Sequence, residues 1–318
     1  AFVAGGQIVY IHSGLITAAD NANEVQGVIA HELGHITGGH VIRMNEGVKA
    51  ATGIMLLSLL LGAAAMAAGS GDAGMGILAA GQQAAMGKFL AFSRVQESSA
   101  DLAGAGFLEK AGISGKGSLS FFKKLQNQEF RLAIPQEDSY ARTHPLSGER
   151  IAVLEGIYPK SPAWNTRIDP KLEEKFQLVK AKLAGFVDDP RQTMVKYPER
   201  DHSLAARYAR AYAWHKSAYP VKANEEVESL VRERPDNPFF LELKGQILLE
   251  SGKPNEALES LRRAVALAPN QPLIASLLGH ALIATEDENN FAEAKKVLRA
   301  AVGRDNSNPF AWYQLGIV

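Results

Sequence analysis

The most specific chemistry in this sequence sits in the stretch "GVIAHELGHITGGH", residues 27–40, where two histidines four apart flank a glutamate. On an α-helix, residues four apart lie ~40° apart around the axis. His31 and His35 therefore project from one face, as two imidazoles must if both are to meet one Zn²⁺ at roughly 2.0–2.1 Å. Glu32 lies ~100° from His31, near enough to act on zinc-bound water without being a ligand. This is the H-E-x-x-H arrangement of zinc proteases. The plain alternative is a helix with two partly buried histidines. The preceding "VIA" and the small Gly34 favour a packed helix built around the motif.

A third ligand is needed, and His40 is the tempting one. The pattern H-E-x-x-H-x-x-G-x-x-H finds its glycine at Gly38 but puts its last histidine at 41, where this chain has Val41. On a continuing helix His40 faces roughly away from His31, so it reads as a helix-end or surface histidine. Glu97 and Asp101, in "FSRVQESSADLAGAGFLEKAG", again share one helical face. Glu97 completes a His₂Glu set with the fourth position open for water. Asp101, one turn on, is placed to accept the free N–H of a ligand histidine and fix its tautomer. A Glu/Asp pair at this spacing is otherwise a solvated face, but the apolar "LAGAGFL" that follows argues against that here.

These residues need two helices to hold them. "TAADNANEVQGVIAHELGHITGGHVIRMN" is helical by its apolar spacing, with a cap signal at Asp20/Asn21. Ahead of it, "AFVAGGQIVYIHSGLI" reads as two short strands around Gly5-Gly6, and the strand at Ile8–Ile11 is either an edge for an extended substrate or an ordinary sheet strand. Between the two ligand segments runs "AATGIMLLSLLLGAAAMAAGSG", uncharged from Ala50 to Gly71, and a second uncharged run ends at Gly87. A bilayer span needs ~20 apolar residues. Residues 50–90 thus read as an apolar helical hairpin with three placements open: against protein or a membrane surface, entering or spanning a bilayer, or buried in a core. Membrane-proximal is as far as the sequence goes.

The remainder divides in two. Residues 165–203 read as a helical connector, with "DPKLEEKFQLVKAKL" amphipathic. Residues 204–318 repeat: Gly245 and Gly279 are 34 apart, and after a three-residue insertion near "DENN" Ala294 and Ala301 fall at the offsets of Ala257 and Ala264. A 34-residue period is the tetratricopeptide (TPR) signature. The units run at about 204–237, 238–271, 272–308 and a partial 309–318. Stacked, they present a concave face suited to a protein or peptide partner.

The 318 residues carry 34 Lys+Arg and 34 Asp+Glu, so zero net charge argues against a nucleic-acid partner. Having no cysteine excludes a thiol nucleophile and any disulfide. No basic n-region of a signal peptide is visible, and the last residues stop inside a helical pattern; both native termini are expected to lie outside this sequence.

H-E-x-x-H followed by Ser93, Arg94, Glu97, Ala100 and Asp101 resembles the HtpX/BepA-like gluzincin metallopeptidases, as do the opening strands and "THPLSGERI" at Thr143–Ile151. The resemblance covers about residues 1–155, and the attached repeats make the BepA-like periplasmic, outer-membrane-assembly proteases the nearest subgroup. It implies an α+β zincin-like domain over 1–164, mostly helical with a small sheet, followed by an all-α TPR solenoid. It also implies one Zn²⁺ per chain, Arg94 and Arg150 beside the ligands, and a periplasmic location. The expected activity is zinc-dependent cleavage of misfolded or misassembled envelope proteins, with Glu32 as the base and the repeats docking substrate or an assembly machine. A TPR scaffold with a mostly silent protease domain is the alternative.

His144, which Pro145 biases toward extended backbone, has three roles open. It donates to the developing oxyanion, or occupies the open zinc position and holds the enzyme latent, or merely orients Glu149 or Arg150. His12, His202, His215 and His280 have no partners at ligand spacing and read as structural or surface groups.

Overall fold

The computed structural model describes residues 1–5, 7–131 and 148–318. It opens on a hairpin of two short strands, β1 (Phe2–Ala4) and β2 (Ile8–Tyr10), paired antiparallel with Val3 opposite Val9. Gly5 turns the chain at φ +61°. One short helix, α1 (Ser13–Ala18), comes next and was not foreseen from the sequence.

The motif helix α2 (Ala22–Thr37) begins where its cap signal says: the Asn21 side chain accepts from the Glu24 backbone N–H. It does not run on to residue 45 as expected. Gly38 ends it, Gly39 takes φ +62°, and a new helix α3 (His40–Ala67) starts. Gly39 can adopt this left-handed conformation at no steric cost, so the helix breaks there, and α3 carries on along α4 in the same sense as α2.

The apolar hairpin is α3 packed against the first half of α4 (Gly71–Lys110). Its inner seam is small: a Cβ on Gly62 would sit 2.9 Å from Leu78 Cγ, and one on Gly74 would reach the backbone O of Gly62 at 2.7 Å. The large side chains Leu56, Leu57, Leu59, Leu60 and Leu61 point out and are exposed. The hairpin is not a separate insertion, because the 40-residue α4 continues through Glu97 and Asp101.

Helices α5 (Lys116–Arg131) and α6 (Gly148–Ile157) complete the first packed set. Its core gathers Val28, Leu108, Phe121, Phe122, Ile151, Leu154 and Tyr158 around α2. The chain divides into two compact units, Ala1–Phe176 and Gln177–Val318. The division falls inside α7 (Pro170–Val187), part of the stretch read as a connector. Phe176 packs in the first core, whereas Ala181 is fully buried in the second with Tyr208 and Tyr212.

After α8 (Pro190–Lys196) the second unit is a run of antiparallel helices, each packed on the next. These are α9 (Leu204–Lys216), α10 (Pro220–Glu233), α11 (Pro238–Glu250) and α12 (Pro254–Leu267). Then come α13 (Pro272–Ala284), α14 (Phe291–Arg304) and α15 (Pro309–Ile317). The periodic glycines have a packing reason. A Cβ on Gly245 would collide with Leu261, and one on Gly279 with Leu298. The three-residue insertion becomes a single 3-10 turn, Glu288–Asn290. A mostly helical domain with a small sheet, followed by helical repeats, is the architecture the sequence led us to expect.

Candidate metal centre

Helix α2 is gripped between α4 and α5 at backbone distance. A Cβ added to Gly34 would lie 2.8 Å from Ala100 Cα, one added to Gly104 would lie 3.1 Å from the Ala30 carbonyl carbon, and one added to Gly27 would lie 2.6 Å from Ser118 Cα. Glycine at these contacts is what lets α2 and α4 approach closely enough for their inward side chains to share one point.

They do share it. His31 Nε2 lies 3.1 Å from His35 Nε2, His35 Nε2 is 3.3 Å from Glu97 Oε1, and His31 Nε2 is 3.4 Å from Glu97 Oε2. A tetrahedral zinc with bonds of 2.0–2.1 Å separates its ligand atoms by about 3.3 Å. Among the described residues these three are the group able to hold a metal ion, and all three are buried. Two neutral imidazoles and one carboxylate are also the donor types that zinc takes. The residues therefore fit the metal. Glu32, next in sequence to His31, is buried as well, at 2% exposure.

Around this triangle lies a charged brace. His31 Nδ1 donates to Asp101 Oδ1 at 2.9 Å, which points Nε2 toward Glu97. Arg150, from α6, donates through Nε and Nη2 to the two Asp101 oxygens at 2.6 and 2.8 Å, and its Nη1 pairs with Glu97 Oε2 at 2.9 Å. The Phe122 ring closes one side, 5.8 Å from the His31 ring and the same distance under the Arg150 guanidinium.

Burial opposes a charge on His31, yet the Asp101 and Glu97 carboxylates beside it raise its imidazole to about 9. Burial works against the Asp101 carboxylate too, but Arg150 and His31 hold it below the usual range. A divalent cation in the triangle would take the place of the His31 proton.

Arg94 is exposed on α4, in a shallow surface hollow with Val95, Ser98, Ser99 and Leu102. His144 lies outside the described residues. His40 does stand at a helix end, as expected, but neither at the surface nor facing away from the motif: it is 6% exposed, with Nδ1 2.9 Å from His35 Nδ1. Burial first, then the neighbouring His35, lowers its imidazole to about 4. The sequence carried a signal for this in the Gly38-Gly39 pair, which breaks the helix that would have turned His40 away. Phe122 carried none.

Residues 1–158 match peptidase family M48, and residues 248–315 match the tetratricopeptide repeat. The chain is 28% identical over 281 residues to the beta-barrel assembly-enhancing protease of Escherichia coli (strain K12), covering 86% of this chain and 56% of that one. A protein of the same name from Yersinia pestis is 25% identical over 292 residues, covering 89% and 58%. Metalloprotease LoiP of E. coli is 33% identical over 153 residues, covering 47% of this chain and 55% of its own. The chain thus spans a little over half the length of these curated relatives.

Proposed function

From a chain whose first 158 residues belong to peptidase family M48, we infer a zinc-dependent endopeptidase. The observation that carries this reading is the triangle of His31 Nε2, His35 Nε2 and Glu97, with edges of 3.1–3.4 Å. His31, His35 and Glu97 would hold Zn²⁺, which would supply Lewis acidity for water and the scissile carbonyl. Glu32 accepts the proton of the attacking water and returns it to the departing amine nitrogen. Asp101 keeps the His31 proton on Nδ1, and Arg150 pairs with both buried carboxylates. The β2 edge, with Ile8, Tyr10 and Ile11 exposed, offers main-chain groups to an extended substrate.

Relatives named beta-barrel assembly-enhancing proteases support a substrate class: misassembled β-barrel proteins, which belong to outer membranes, met in the periplasm. The helical repeats are the docking module for such a substrate or for an assembly machine. The α3–α4 hairpin, small inside and leucine-rich outside, has the packing of helices whose surroundings are lipid; it supports peripheral membrane contact through residues 50–90.

The reading is tested with the full chain: zinc per chain by elemental analysis, and cleavage of unfolded casein before and after chelation. One zinc per chain, with activity lost on chelation and regained with zinc, is expected. Undiminished cleavage after complete removal of metal would overturn it. His144→Ala, matched for zinc content, separates the roles open to that residue: faster cleavage means that His144 caps the metal, much slower that it stabilises the oxyanion, and unchanged that it does neither.

A further inference from the structure

His35 presents Nε2 to the ligand triangle, so in its metal-binding tautomer the ring proton sits on Nδ1. A buried N–H without an acceptor is costly. For His31 that acceptor is Asp101. For His35 the atom in place is Nδ1 of His40, at 2.9 Å, with the two rings nearly perpendicular at 82° and 5.0 Å between centroids.

Local backbone builds this contact. Gly39, at φ +62°, breaks the helix, and the first residue of α3 sits against the last turn of α2. Gly38 has ordinary helical angles, φ −75° and ψ −8°, so its backbone does not require glycine. A Cβ there would overlap the His40 imidazole, lying 2.6 Å from Cδ2. In the Gly38-Gly39-His40 run, then, the first glycine leaves space for the ring, the second makes the helix break, and the histidine supplies the ring itself.

We propose that His40 is a positioning residue of the metal centre: its Nδ1 lone pair accepts the Nδ1–H of His35 and holds that ligand in the tautomer and orientation that offer Nε2 to zinc. Each ligand histidine then has its own acceptor, a carboxylate for His31 and a neutral imidazole for His35. The inference rests on the zinc reading of the triangle. It adds a residue outside the H-E-x-x-H and Glu97–Asp101 segments.

The test is zinc affinity of the full chain, by chelator competition, for wild type, His40→Ala, His40→Asn and Gly38→Ala. Thermal unfolding of each metal-free variant is followed alongside. Loss of an outer partner of this kind weakens metal binding about 10–100-fold, which is expected for His40→Ala. His40→Asn should recover most of the loss, since its Oδ1 stands where Nδ1 stood and also accepts. Gly38→Ala should weaken binding while leaving His40 itself intact. Nitrogen NMR of the zinc-free protein should show His35 protonated on Nδ1 in wild type and as a tautomer mixture in His40→Ala. Equal zinc affinity and an unchanged His35 tautomer in His40→Ala would overturn the proposal. So would equal losses of affinity and of melting temperature in the alanine and asparagine variants, which would mark a packing role. Failure of the wild type to bind zinc would instead overturn the reading of the triangle.

Discussion

Arg150 Nη1 lies 2.9 Å from Glu97 Oε2 while the same guanidinium holds both oxygens of Asp101. One cation on α6 therefore braces a metal ligand and the partner of a second ligand, one helical turn apart on α4. The bidentate grip suits the planar fork of arginine and not the point charge of lysine.

Replacing Arg150 by methionine should leave two buried carboxylates without their cation. Breaking a buried pair in this way costs about 3–5 kcal/mol. Urea unfolding of the metal-free protein should show a loss of that order, with part recovered in saturating zinc, because the metal supplies positive charge and binds only the folded chain. Arg150→Lys should retain less than half of the wild-type effect. An Arg150→Met protein as stable as wild type without metal would contradict the brace.

Gly34→Ala tests the close approach of α2 and α4. The new Cβ meets Ala100 backbone, which cannot swing aside, so a cost of about 1–3 kcal/mol is expected, together with weaker zinc binding as His31 and His35 move off Glu97. Gly53→Ala is the control: it lies in α3 with open space around it and should be neutral or slightly stabilising. Equal effects at both positions would show that helix contact is not what requires glycine at 34.

Glu32→Gln should keep its zinc and lose casein cleavage by roughly 10²–10⁴-fold, the usual contribution of a positioned acid–base group. The same variant addresses the scaffold alternative. Full cellular function without the carboxylate would mean that the repeats, and not hydrolysis, carry the role.

The outward leucines of α3 predict lipid affinity. Leu56, Leu57 and Leu60 are each more than half exposed, and burying one such side chain contributes about 1.5–3 kcal/mol. Replacing all three by serine should reduce co-sedimentation with phosphatidylethanolamine–phosphatidylglycerol vesicles by tenfold or more, with casein cleavage in solution unchanged. Identical vesicle binding would exclude the hairpin as the contact.

What could be read directly were the features that helix geometry sets within a few residues. His31 and His35 share a face, as do Glu97 and Asp101, because four residues are close to one turn. The glycine and alanine offsets of the repeats likewise record a local packing unit used several times. Arg150 was reachable only through resemblance, since nothing in "SGERI" says where a lone arginine will point.

Tertiary structure decided the rest. His31 and Glu97 are 66 positions apart, and whether they meet depends on glycines at 34 and 104 letting two helices touch. His40 shows the limit most clearly: a helical projection turned it away from the motif, and one residue at positive φ turned it back. Periodicity is a property of the chain within an element and is written in its order. The direction taken after a break, and the side chain met across an interface, depend on backbone angles and close contacts that residue spacing does not encode.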